Sequence, residues 1–271
     1  MKYLIVNADD FGMTKGINEG IVKAMREGIV TSTSMVACGE AFDDAVKTAR
    51  AHGIREVGAH LSLTEFSPIT LPGKTENYKL FAARLLLGTI SEDKVRKEFQ
   101  AQIEKIKKAG FALTHLDSHE HIHMVPKMFR IFIDMARDYG IPAIRFLREK
   151  SMVGGFGLNK VYRFLIGSYL ARKNERDVRN SRLYFPDNVR GFLDSGRLSE
   201  SLLIRMLGSL SEGVTELICH PGFLGPEILD TYRWHINCED ELFALTGRAV
   251  KRVIESRGIT LVGYKQAMEL R

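Results

Sequence analysis

Short apolar, β-branched runs alternate along the chain with longer segments whose apolar residues recur every three or four positions. Residues Tyr3–Ala8, Thr31–Ala37, Glu56–Leu63, Leu113–Asp117, Ala143–Leu147, Val189–Phe192, Val214–Cys219 and Ile259–Val262 read as strands. Residues Gly16–Glu27, Ala41–His52, Tyr78–Leu87, Ser91–Ala109, Pro126–Tyr139, Leu158–Arg172, Ser199–Leu210 and Cys238–Arg257 read as helices. In the fourth of these, Val95, Phe99, Gln102, Ile103 and Ile106 fall near one face, and Ser91 followed by Glu92 and Asp93 suits a helix start. Pro126 fits a first helical turn, while Gly140 and Gly258 close helices. Strand–helix alternation implies a mainly parallel sheet of seven or eight strands. Periodicity alone leaves a closed barrel and a doubly wound open sheet equally open. Asp9, Asp10, His60, Asp117, His119, Arg145 and His220 all fall at or just past the C-terminal ends of predicted strands. Catalytic groups converge there in both architectures.

A length of 271 residues fits one barrel domain, and no repeat, low-complexity tract or Pro/Gly/Ser-rich linker divides it. No apolar run reaches the roughly 20 residues of a membrane span. The apolar stretch after Lys2 ends at Asp9, too early for a secretory leader, so the expected compartment is the cytoplasm. Cys38, Cys219 and Cys238 form no C-x-x-C pair, and their odd number argues against a disulfide framework; they read as reduced core thiols. The formal charge of +6 is modest, and the basic stretches Arg145–Lys150 and Arg172–Arg182 read as solvated surface. With no zinc-finger spacing, RNP-type stretch or phosphate-binding loop, no nucleic-acid partner is expected. A homodimer is left open.

Four segments carry chemistry. In Asn7-Ala8-Asp9-Asp10-Phe11-Gly12, two carboxylates follow an apolar strand directly. Side chains alternate along a strand, so both reach one site only where the strand ends and turns, which Gly12 permits. One carboxylate can then ligate a metal while its neighbour stays free as a base; a surface turn or helix cap would also place Asp here. His60 in Gly58-Ala59-His60-Leu61 suits either a ligand or a rim residue. The stretch 115–123 gathers His115, Asp117, His119, Glu120, His121 and His123, four of the eight histidines of the chain. Extended spacing puts His115, Asp117 and His119 on one side, and that density points to metal or acid–base chemistry. In Glu216-Leu217-Ile218-Cys219-His220-Pro221-Gly222, a buried strand delivers His220 at its end. One Asp with two His leaves metal positions open for water and substrate. Bound metal lowers the pKa of water and polarises a carbonyl, a free carboxylate takes the water proton, and a His protonates the leaving amine. A neighbouring carboxylate such as Asp9 or Asp117 would help keep His220 protonated. Amide and phosphoester hydrolysis both suit such a set, as does non-catalytic metal or sugar binding, although a second Asp is surplus to binding alone.

These segments, with Gly-Ile-Val-Thr-Ser-Thr-Ser at 28–34, Cys-His-Pro-Gly-Phe at 219–223 and the tail Arg257–Tyr264, resemble the YdjC-like carbohydrate deacetylases in order and over nearly the whole chain. The family includes chitooligosaccharide deacetylases and hopanoid-biosynthesis-associated deacetylases. The resemblance implies a TIM-barrel-like α/β fold over residues 1–271, a Mg²⁺-type cofactor (Zn²⁺, Mn²⁺ or Co²⁺ also being accommodated) and removal of N-acetyl from amino-sugar carbohydrates or glycolipids. It places the metal ligands at Asp10, His60 and His119. By analogy with the NodB-type deacetylases it places the base at Asp9, the acid at His220 and, more loosely, a base-orienting cation at Arg145. Residues 150–212 match least, and the stretch 182–191 leans toward the hopanoid-associated branch.

Overall fold

The computed structural model describes residues 1–70, 80–81, 84 and 88–270. Its parallel sheet runs β5 (Ala143–Ile144), β4 (Ala112–Ser118), β3 (Glu56–Leu61), β2 (Ser32–Met35), β1 (Lys2–Phe11), β7 (Gly213–Cys219) and β6 (Asn188–Arg190), with β8 (Ile259–Leu261) paired to the start of β1. The sheet curls until its edges meet: Ile144 N donates to Tyr184 O and Val189 N to Arg148 O. The result is a distorted TIM-like barrel.

Along β1 the period of two separates inside from outside. Leu4, Val6 and Ala8 pack outward into the main core beneath the helices, whereas Ile5 joins Ala143, Tyr184, Val214, Val262 and Tyr264 in a small apolar plug inside the barrel. Above that plug the interior turns polar, with Asn7, Asp9, Ser34, His60, Asp117, Arg145 and Glu216 all buried.

Helices α1 (Lys15–Glu27), α2 (Phe42–Ala51), α3 (Glu92–Lys108), α4 (Pro126–Asp138), α5 (Leu158–Ser181), α6 (Glu200–Gly208), α7 (Pro226–Asp230), α8 (Cys238–Thr246), α9 (Arg248–Ser256) and α10 (Tyr264–Met268) surround the sheet. Ser91 caps α3 by accepting the Lys94 N–H, and Pro126 opens α4. The expected helix Cys238–Arg257 is two helices, interrupted at Gly247, whose backbone is extended (ψ 137°). The expected strand Ala143–Leu147 keeps two residues, and the expected helix 158–172 runs on to Ser181. The short α7 and α10 were not expected from periodicity, and the expected helix 78–87 falls mostly outside the described residues. Cys219 and Cys238 are buried and Cys38 half-buried, all free. Among the described residues no helix is long and apolar enough to cross a membrane.

Candidate metal centre and its proton-transfer groups

The end of β1 turns at Asp10 itself. Its φ of 69° is left-handed, the β1–β2 register slips between Ala8 and Phe11, and Gly12 follows at φ 107°. A Cβ on Gly12 would sit 2.9 Å from Val36 O, so glycine is required there on both counts. The turn is anchored by buried Asn18 of α1, which accepts the Gly12 N–H at 2.7 Å and donates to Ala41 O and Asp44. This bulge lets two consecutive carboxylates face the same interior.

Asp10 Oδ1 lies 3.0 Å from His119 Nδ1 and 3.4 Å from His60 Nε2. All three residues are buried, and their donor atoms lie within 4.8 Å of one another. One oxygen faced by two imidazole nitrogens is a donor set suited to a divalent cation. The far atoms of the trio are held as well. Register pairing sets His60 opposite Asp117, whose Oδ1 meets His60 Nδ1 at 2.9 Å. Glu65 Oε2 meets His119 Nε2 at 2.5 Å, and His235 Nε2 lies 3.2 Å from Asp10 Oδ2. Carboxylate partners of this kind orient imidazole ligands and raise their basicity. Asp9, His60 and Asp117 form a second trio within cation reach, but Asp9 and Asp117 already share a guanidinium.

That guanidinium is Arg145, fully buried rather than on the surface as its basic neighbourhood suggested. It binds Asp9 through two parallel bonds of 2.7 Å, Asp117 at 2.9 Å and Glu216 at 2.8 Å. Asn7 Nδ2 adds a bond of 2.8 Å to Asp9, and Ser34 donates to Asp117 at 2.9 Å. Burial alone would raise the Asp9 carboxyl, yet the Arg145 guanidinium holds it well below the usual carboxylate range. Asp10 is likewise held low against burial, by His119 first. Burial opposes protonation of His119, but Asp10 and then Glu65 override it and raise that imidazole to about 10. His60 is raised the same way by Asp117, Asp9 and Asp10.

His220 lies on the loop after β7. Its Nε2 is 4.0 Å from Asp9 Oδ2, its ring packs edge-on against Trp234 at 5.0 Å, and its backbone N–H donates to Glu241 at 2.6 Å. Here burial prevails over Asp9 and Asp10 and pushes the imidazole down to about 4, so it rests neutral rather than protonated. The loop's placement depends on a close approach: a Cβ on Gly20 of α1 would lie 2.4 Å from the Cα of Gly222.

The histidine-rich stretch splits. Strand β4 ends at Ser118, and His119 enters a short 3₁₀ segment in which Glu120 and His121 have φ of 52° and 54°. Only His119 of its four histidines joins the trio. His115 stacks on Tyr264 at 3.8 Å, His123 bonds Ser118 at 2.6 Å and packs on Phe132, and His121 lies edge-on to Phe192. Sequence reasoning named Asp9, Asp10, His60, His119, Arg145 and His220, which the barrel brings together. It missed Glu65, His235, Trp234 and Glu241. Glu216 carried one usable signal, a carboxylate inside an apolar strand.

A family model described as YdjC-like protein matches residues 3–256. A protein of Thermoanaerobacter pseudethanolicus named carbohydrate deacetylase is 31% identical, over 97% of this chain and 98% of its own. A crystal structure from Enterococcus faecalis V583, provisionally described as a cellobiose-phosphate cleavage protein, superposes with a TM-score of 0.79 at 28% identity, covering 98% of each chain. A peptidoglycan N-acetylglucosamine deacetylase shares the fold more distantly, with a TM-score of 0.51 at 11% identity, over 98% of this chain and 87% of its own. The chain belongs to the YdjC-like family.

Proposed function

We propose that this chain is a divalent-metal-dependent carbohydrate deacetylase that hydrolyses the N-acetyl amide of an amino sugar, with residues 1–271 acting as one barrel. The observation that carries the reading is an ionised carboxylate, Asp9, clamped by Arg145 next to a buried Asp10–His60–His119 trio. The name of the Thermoanaerobacter relative supports the substrate class.

Asp10, His60 and His119 would hold the cation; family likeness points to Mg²⁺, while the two imidazoles also suit Mn²⁺, Co²⁺ or Zn²⁺. When bound, a divalent ion polarises the acetyl carbonyl and lowers the pKa of water. The chain's own groups handle the protons. Asp9 accepts one as water adds to the carbonyl carbon, while Arg145 fixes its orientation. His220 gives a proton to the amine as the C–N bond breaks, leaving acetate and the free amino sugar. Since His220 rests neutral, it must be charged first, and Asp9 at 4.0 Å is placed to pass on what it took from water. Phosphoester hydrolysis fits less well, because the Arg145 guanidinium that would meet a phosphate is spent on Asp9, Asp117 and Glu216.

The test is acetate release from a panel of N-acetylated oligosaccharides, with and without added metal. The expected result is metal-dependent acetate production that falls about 10²–10⁴-fold in Asp9→Asn at unchanged fold and metal content. No acetate from any substrate with any ion would sink the reading. A wild-type rate in Asp9→Asn would move the base to Asp117.

A further inference from the structure

Helix α5 turns an unusual face outward. Leu158, Tyr162, Leu165, Ile166 and Tyr169 follow one another at helical spacing, and all are exposed, from 38% for Ile166 to 92% for Leu158. Phe156, just before the helix, is 79% exposed. The inward side of the same helix is built from Gly167, Ala171, Asn174 and Val178. Ordinary surface helices show the reverse arrangement, and a contiguous exposed apolar patch marks a contact surface.

The charge within the segment that carries this face has one sign. Residues 150–173 contain Lys150, Lys160, Arg163, Arg172 and Lys173 and no carboxylate. Lys160 is tied to Asp194 at 2.7 Å and Arg163 lies over the Phe192 ring, while Lys150, Arg172 and Lys173 are exposed. Lys173 also sits over the exposed Tyr169 ring at 5.5 Å. Aromatic and aliphatic side chains on one face, tyrosines among them, in a segment whose own charged residues are all cations, are the composition of a helix that lies in a lipid headgroup layer.

We infer that the outer face of α5, with Phe156, docks on an anionic lipid surface. Pairing with a second copy is disfavoured by the same charges. A two-fold interface would bring the exposed Lys150, Arg172 and Lys173 of both copies together. The face also leads toward the candidate site. Ile166, Gly167 and Leu170 form one wall of a cleft of about 110 Å³, and its other wall includes His121 and Met124, on the loop that begins at His119. Docking through α5 would hold that loop near the headgroup layer. The inference rests on this surface and not on the deacetylase reading, and it is read without turnover.

The experiment is co-sedimentation of the full chain with vesicles of phosphatidylcholine alone and of phosphatidylcholine mixed with phosphatidylglycerol. Binding to the anionic vesicles should exceed binding to the neutral ones at least about tenfold and fall as salt rises. The double variant Leu165→Asp/Tyr169→Asp should lose that binding by at least about tenfold while keeping the wild-type circular dichroism and melting profile. Arg172→Glu/Lys173→Glu should reduce it more at low salt than at high salt. Equal sedimentation with both vesicle types, or none, overturns the inference. So does wild-type binding by the double variant. A concentration-dependent dimer dissolved by Leu165→Asp/Tyr169→Asp would give the face to a second copy and overturn it as well.

Discussion

The floor of the barrel and the wall formed by Trp234 place the same side chain in opposite states. His119 and His220 are both buried, both follow a strand, and both suffer the loss of water that disfavours a charged imidazole. His119 has Asp10 at 3.0 Å and Glu65 at 2.5 Å and is raised to about 10. His220 has Asp9 at 4.0 Å and Glu241 at 3.9 Å, with an indole against its ring, and is lowered to about 4. Hydrogen-bonded carboxylates override burial at His119; at His220 burial, helped by nearby His235 and His60, prevails over the more distant carboxylates. The carboxylates around His119 favour a charged imidazole, and burial leaves the one at His220 neutral.

The strongest way to break this contrast is at the floor's own cation. Arg145→Met strands Asp9, Asp117 and Glu216 as buried carboxylates with no guanidinium between them. The expected loss is about 3–5 kcal/mol of folding stability, read as a lower urea midpoint, with turnover falling alongside. A stability within error of wild type would mean that the floor's charges are balanced by other groups. Glu65→Gln is a milder change, keeping a hydrogen-bonding group beside His119 Nε2 while removing its charge. Divalent-ion affinity, measured by competition with a chromophoric chelator, should weaken about 10–100-fold, with less effect on turnover at saturating ion. Unchanged affinity would separate Glu65 from the trio. The smallest expected effect sharpens the wall. Trp234→Ala lets water reach His220, relieving the burial that lowers it, so its titration followed by NMR should move up from about 4 toward 6.5. A value that stays near 4 would assign the desolvation to neighbours other than the indole.

Much of the floor is legible in the sequence, and little of the wall. Asp9 and Asp10 stand out because they end an apolar strand, and His60, His119 and His220 because each stands at or just past the end of another. Glu65 reaches His119 and His235 reaches Asp10 only through topology, from segments far along the chain, with no periodicity to announce them. Density alone does not single out His119 from His115, His121 and His123. Spacing along an extended chain cannot foresee that the strand stops at Ser118 and that φ turns positive at Glu120 and His121. Helix α5 runs nine residues beyond Arg172, to Ser181, because residues 173–181 are polar apart from Val178 and carry no apolar stripe to mark a helix in sequence.

Strand β1 lies between partners from opposite ends of the chain, pairing with β2 on one edge, with β7 on the other and with β8 at its start. During synthesis, some 200 residues separate Asp10 from His220. At about 5–20 residues per second, that is roughly 10–40 s in which one edge of β1 has no strand to pair with. Long-range pairing of this kind slows folding and leaves an apolar edge open to other chains. Two adjacent carboxylates at the end of that strand would resist such association while it waits. The residues that serve the finished centre would then also guard the unfinished chain, and a variant that neutralises both should be harder to produce as soluble protein than its effect on folded stability would suggest.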